Sequence, residues 1–222
     1  MAAWEELKAQ YRAFQARGLT LDMSRGKPSP EQLALSAPIL AGADMDYTCE
    51  DGSDARNYNH PLGIPEMRRL FGEILGVAPE QVIVGGNSSL NLLSDVFTRC
   101  MLLGPLPGDT PWAQLPRVKF ICPTPGYDWH FHMLEIYGVE LLPVPTLADG
   151  PDMDQVEALA RDPAVKGLIC VPMYGNPSGV TFSDEVVARL ARMETAPDFR
   201  IFWDNAYCVH HLYPEAPDRL AN

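Results

Sequence analysis

The sequence predicts an α/β fold, with a mostly parallel sheet carrying helices on both faces. Two observations carry the prediction. Short apolar, β-prone runs at 118–122, 139–144, 167–171 and 199–203 alternate with segments whose apolar residues recur at helical spacing. Several runs also end in turn chemistry, Cys122-Pro123-Thr124-Pro125-Gly126 and Tyr174-Gly175-Asn176-Pro177, at the carboxyl edge where such folds place ligands.

The composition narrows the function. With 222 residues and 46% hydrophobic content the chain can bury a sizeable core. A formal net charge of -12 argues against nucleic acid and against an anionic membrane surface, and favours a small-molecule ligand. Five cysteines, odd in number, widely spaced and free of any C-x-x-C pair, signal neither a disulfide framework nor a zinc site. They point to a reducing, cytoplasmic compartment. The start, Met1-Ala2-Ala3-Trp4-Glu5-Glu6, is acidic where a signal peptide is basic and then apolar, and no apolar run is long enough to span a bilayer.

Taken in order, Trp4, Leu7, Tyr11 and Phe14 make 3–17 an amphipathic helix closed by Gly18. Its stripe suits either core packing or a partner subunit. Residues 19–30 pass from a short alternating run into a basic Gly-Pro turn, where Arg25 and Lys27 offer charge to an anion. An irregular loop at 42–57 leads through Tyr58-Asn59-His60-Pro61-Leu62-Gly63 to a helix started by Pro65 and carrying Met67, Leu70, Phe71 and Ile74. A strand is expected at 81–84, then Gly85-Gly86-Asn87-Ser88-Ser89, then a helix carrying Leu90, Leu93, Val96 and Phe97. Residues 104–117, rich in Pro and Gly, are expected to form an exposed loop. Helices follow at 128–137, 153–160 and 185–193, the last capped by Ser183 with Val186, Val187, Leu190 and Ala191 inward.

Three places carry chemistry. A buried carboxylate costs several kcal/mol unless it is solvated or met by a cation. Asp204, at the end of an apolar strand, is therefore either a loop or cap aspartate or the partner of a cation such as a protonated ring nitrogen. The loop 85–89 combines glycine, which allows close backbone approach, with serine hydroxyls and a helix start, a plausible phosphate cradle although not a P-loop. Tyr127 offers a ring for stacking on a planar ligand, or for core packing. His130 and His132 lie two apart and His210-His211 are adjacent, so neither pair has helical metal-site spacing, and no metal is assigned.

With Asn176-Pro177-Ser178-Gly179, Asp204-Asn205-Ala206-Tyr207 and the 85–89 loop in that assembly, the chain resembles the fold-type I, pyridoxal-phosphate-dependent aminotransferases of class I/II. Leu21-Asp22-Met23-Ser24-Arg25-Gly26-Lys27-Pro28 and the Tyr58–Gly63 motif look most like a bacterial aspartate aminotransferase subgroup with MocR-family-like members. The resemblance implies a three-layer large domain from residue 55 to 222, incomplete at its carboxyl end, preceded by a helix and small-domain segment at 1–54. It implies pyridoxal 5'-phosphate as cofactor, with Asp204 on the pyridine nitrogen, Asn176 and Tyr207 on the ring hydroxyl, and Tyr127 on the ring face. Gly86, Asn87, Ser88 and Ser89 would hold the phosphate. Tyr58 would reach the phosphate of a neighbouring subunit, making the active unit a homodimer. Gly26 and Asn176 would border the substrates, an amino acid, with aspartate a candidate, and a 2-oxo acid.

The four lysines, Lys8, Lys27, Lys119 and Lys166, all precede Asp204, whereas the family's Schiff-base lysine follows the Asp-x-x-Tyr motif. That lysine is therefore expected beyond Asn222, with the arginine for the substrate carboxylate. Asn87 and Ser88 differ from the commonest phosphate-loop residues. Two other functions share the motifs: a lyase or decarboxylase of the same fold type, and an aminotransferase-like ligand sensor of a regulator.

Overall fold

The computed structural model describes residues 2–21, 26–42, 45–213, 215–218 and 220. Asp22 through Arg25, half of the motif that runs from Leu21 to Pro28, lie outside the described residues. Five strands form one sheet: β1 (Lys119–Thr124), β2 (Glu140–Leu147), β3 (Gly150–Pro151), β4 (Val165–Cys170) and β5 (Arg200–Trp203), in the order β3-β2-β1-β4-β5. The β1–β2, β1–β4 and β4–β5 pairs are parallel, and the two-residue β3 folds back antiparallel on β2. This is the α/β sheet that the alternating pattern predicts.

Successive strand residues point to opposite faces, and each face has its own helices. Ile121, Leu168, Cys170 and Ile201 pack with α7 (Met153–Ala160) and α8 (Asp184–Arg192), through Val156, Ala160, Val186 and Leu190. Phe120, Cys122, Ile169 and Phe202 pack with α5 (Ser89–Leu103) and α6 (Asp128–Ile136), through Phe97, Met133 and Leu134. The Phe97 ring lies 5.0–5.8 Å from those of Trp112, Phe120, Tyr137 and Phe202. Gly167 is fixed by space: a Cβ there would come within 2.6 Å of the Phe120 ring. Helix α8 starts where the Ser183 hydroxyl accepts from Val186 N–H, with Asp184 and Glu185 in its first turn and Arg189 and Arg192 in its last.

Ahead of the sheet lie α1 (Ala2–Ala16), α2 (Pro30–Ala34), α3 (Ala37–Leu40) and α4 (Pro65–Leu75). Helix α1 ends before Gly18, whose φ of 60° suits glycine. Its stripe of Trp4, Leu7, Tyr11 and Phe14 is 58–65% exposed, so ordinary core packing of this helix is not realised among the described residues. Among them no helix is long and apolar enough to cross a membrane.

Three further expectations need correction. Residues 81–84 are not a strand: Pro79–Gln81 is a 3-10 turn, Ile83 is 70% exposed, and Val84 N–H finds only the Leu62 carbonyl, because β-prone residues need a neighbouring ladder. Ala191 faces outward, against the inward reading; the buried face of α5 runs through Phe97, Cys100 and Met101. The 104–117 segment is not wholly exposed, since a 3-10 turn at Trp112–Gln114 buries the Trp112 ring completely in the Phe97 cluster.

The described cysteines are free thiols. Burial pushes the Cys122 thiol from 9.0 up to about 12, and burial together with the Asp204 charge raises Cys170 further still. Between pH 9 and about 12 the folded chain keeps the Cys122 proton that the unfolded chain releases. Stability therefore falls as pH rises through that window. Urea midpoints should drop between about pH 8 and about pH 10, and Cys122→Ala should flatten the slope; an unchanged slope would contradict the burial.

Candidate active site

Strand β5 and α6 build the centre of the site. Asp204 N–H donates to the Cys170 carbonyl at 2.9 Å, continuing the β4–β5 ladder one residue past Trp203. Alternation then sends the Asp204 side chain to the Phe202 face, beneath the starts of α5 and α6. It is only 7% exposed. Its Oδ2 accepts from the Ser89 hydroxyl at 3.2 Å and lies 3.0 Å from His130 Nε2, while Oδ1 accepts from Ala206 N–H at 3.2 Å. A carboxylate has about four acceptor sites, so three donors leave it room for one more.

The neighbours of Asp204 come from predicted ligand elements. Ser88 caps α5, its hydroxyl accepting from Asn91 N–H at 3.3 Å, and Ser89 is the first helical residue. Gly86 and Asn87 are exposed just ahead of that helix start, whose free N–H groups favour an anion by about 0.3–1 kcal/mol. Tyr127 stands before α6, and its half-buried ring meets His130 edge-on with centroids 5.0 Å apart. Ser89, Tyr127 and Asp204 thus converge although they are far apart in sequence.

His130 is the member that sequence reasoning missed. It is 1% exposed and buries its imidazole against Asp204. Its signal was its place on the helix that follows Tyr127, a position weighed only for metal spacing.

Asn176 follows β4, half-buried in an adjoining cavity lined by Gly126, Phe131, Ile169, Cys170 and Phe182. Its loop is tied down on both sides. Gly175 N–H donates to Val180 O, Tyr174 OH lies 2.8 Å from His211 Nδ1, and Thr181 Oγ1 donates to Asp218 at 2.6 Å. Tyr207 is half-buried, its ring edge-on to His210 at 6.0 Å. Among the described residues no hydrogen bond joins Asn176 or Tyr207 to Asp204. Tyr58 is 98% exposed and Gly26 is exposed, and neither contacts this cluster.

The strand lysines lie at the opposite edge of the sheet. Lys119 pairs with Asp162 at 3.0 Å and Lys166 with Asp198 at 2.8 Å, both near the amino ends of their strands. Lys8 pairs with Glu5 on α1.

A parallel sheet between two helical layers, with a buried carboxylate and a Gly-Ser helix start at its carboxyl edge, defines the large-domain fold of the aminotransferases. The chain belongs to the aspartate amino-transferase family, whose sequence model matches residues 1–222. It is similar to the aspartate aminotransferase of Corynebacterium glutamicum, 45% identical over 216 residues, which cover 96% of this chain and 50% of that protein. The aspartate/prephenate aminotransferase of Thermus thermophilus is 31% identical over 179 residues, 74% of this chain and 41% of that one. A crystal structure of an aspartate transaminase from C. glutamicum superposes with a TM-score of 0.83 at 44% identity, covering 90% of this chain and 48% of that chain. The chain spans about half the length of the curated relatives it matches.

Proposed function

We propose that the complete protein is a pyridoxal 5'-phosphate-dependent aminotransferase that moves an amino group between an amino acid, aspartate first among candidates, and a 2-oxo acid. The observation that carries this reading is Asp204: buried, held by three donors, with one acceptor site left for a ring N–H. The Gly-Ser helix start beside it suits a phosphate group.

In this reading Asp204 keeps a proton on the pyridine nitrogen, and His130 fixes the carboxylate that does so. Tyr127 covers one ring face and excludes water from it. Asn176 and Tyr207 hydrogen-bond the ring hydroxyl, and Gly86, Asn87, Ser88 and Ser89 hold the phosphate. Tyr58, almost fully exposed, reaches toward a neighbouring subunit of a homodimer, and Gly26 with Asn176 borders the substrate. When bound, the cofactor supplies an electron sink for the charge that develops at the substrate Cα. Residues 55–222 form the cofactor-binding large domain and 1–54 a helix and small-domain segment, in a cytoplasmic enzyme.

The test is reconstitution of the complete polypeptide with pyridoxal phosphate. After dialysis it should retain one cofactor per chain, seen as near-visible absorbance, and should transfer the amino group of aspartate to 2-oxoglutarate. No retained absorbance would overturn the cofactor assignment. Retained cofactor with turnover only on other amino acids would overturn aspartate alone.

A further inference from the structure

We propose that Cys49, Asp51 and His60 form a binding site for a thiophilic divalent metal ion of the zinc type, which clips the 49–60 loop closed. The Cys49 sulfur, an Asp51 carboxylate oxygen and a His60 ring nitrogen all lie within 4.8 Å of one another. His60 Nε2 is 3.8 Å from Asp51 Oδ2. Ligand atoms around a tetrahedral zinc sit about 3.3–3.8 Å apart, given bonds of about 2.0–2.3 Å, so small side-chain rotations complete the set.

The backbone prearranges these donors. Cys49 and Asp51 flank a tight turn in which Gly52 N–H donates to Cys49 O and Cys49 N–H donates to Ser53 O, each at 2.8 Å, with Gly52 at φ 82°. The Ser53 hydroxyl donates to Asp51 Oδ1 at 2.6 Å and lies 2.6 Å from His60 Nε2, holding carboxylate and imidazole together. A metal takes over the Nε2 contact, Ser53 stays on the carboxylate, and the Cys49 thiol releases its proton to solvent. Cys49 is 5% exposed, so the sulfur faces the loop interior.

Glu66 accepts from Glu50 N–H at 2.6 Å through Oε1, but its Oε2 is buried with no hydrogen-bond partner among the described residues. The Asp51 charge opposes that of Glu66, and Arg69, paired with Glu50, is a cation beside Glu66. Sulfur and imidazole donors select zinc-type ions over magnesium or calcium, and three protein ligands leave a fourth position for water. The sequence reading assigned no metal because it sought paired cysteines or histidines at helical spacing, whereas this set is assembled by a turn. The site is separate from the Asp204 cluster and does not rest on the amino-transfer reading.

Cobalt(II), the coloured stand-in for zinc, tests the proposal on cofactor-free protein. Titration should saturate at one ion per chain with a near-ultraviolet thiolate-to-cobalt band, which added zinc abolishes. Cys49→Ser and His60→Gln should each weaken binding more than about 100-fold, beyond the 10–100-fold typical of changes outside the ligand shell, while Cys208→Ser and His211→Gln leave it unchanged. In the unaltered protein, peptide mapping after alkylation should show Cys49 protected when cobalt is present, a readout that does not depend on any variant folding. Absence of saturable binding, binding that survives both ligand substitutions, or no protection of Cys49 would overturn the site.

Discussion

Asp204→Ala in the complete protein is expected to lower the rate of amino transfer by about 10–1,000-fold while cofactor is still retained through its phosphate. An anion beside a titrating cation shifts its pKa by about 1–3 units, roughly 1.4–4 kcal/mol, and that margin is what keeps the ring nitrogen protonated. The alanine also strands the Ser89 hydroxyl and the buried His130 imidazole, so some loss of stability accompanies it. Asp204→Asn separates the two effects in part, because it keeps the volume and one acceptor oxygen and removes the charge, while its amide NH2 can only donate where a carboxylate oxygen accepted. It should lose a similar factor in kcat with a smaller fall in melting temperature. Turnover equal to the parent's in both variants would remove Asp204 from the role proposed for it.

Phe97→Ala should be the most costly single truncation in the core. The ring is completely buried and touches four other aromatic rings, from the end of α6, β1, β5 and the Trp112 turn, so nothing near it can collapse into the space. Deleting a buried phenyl group costs about 3–5 kcal/mol. That is a large share of the roughly 5–15 kcal/mol that holds a domain folded. The measurement is the shift in urea midpoint of the complete protein, with Phe97→Leu as the milder comparison. A loss below about 1 kcal/mol would mean that Phe97 does not anchor the face on which Asp204 sits.

Both predictions rest on elements that the sequence exposes to different degrees. The four parallel strands are legible because each is an apolar run between turn residues, whereas the two-residue β3 is not, and α7 falls on 153–160 because Asp152 caps it, accepting from the N–H groups of Asp154 and Gln155. Propensity at 81–84 is equally strong, but it says nothing about whether a neighbouring ladder exists to receive it. Trp112 sits among prolines and glycines, and its burial comes from rings contributed by α5 and β1 rather than from its own segment. Helix phase was one step out for Ala191, a small angular error that moves a side chain from core to solvent. At the site, Tyr127 and Asp204 are legible as motifs just past strand ends, and Ser89 as part of a Gly-Ser loop at a helix start. His130 is not, because its partner lies 74 residues further on and only the sheet register brings the two together.

Trp203 ends β5, directly before Asp204, and packs edge-on against Phe182 with centroids 5.8 Å apart. It is half-buried, unlike the sealed Trp112 and the more exposed Trp4 and Trp129. This position makes it a built-in optical antenna for the cleft. Its near-ultraviolet emission overlaps the absorbance of a pyridoxal chromophore, so occupancy can be followed by quenching without any added dye. Trp203→Phe supplies the blank against which the signals of the other three indoles are subtracted.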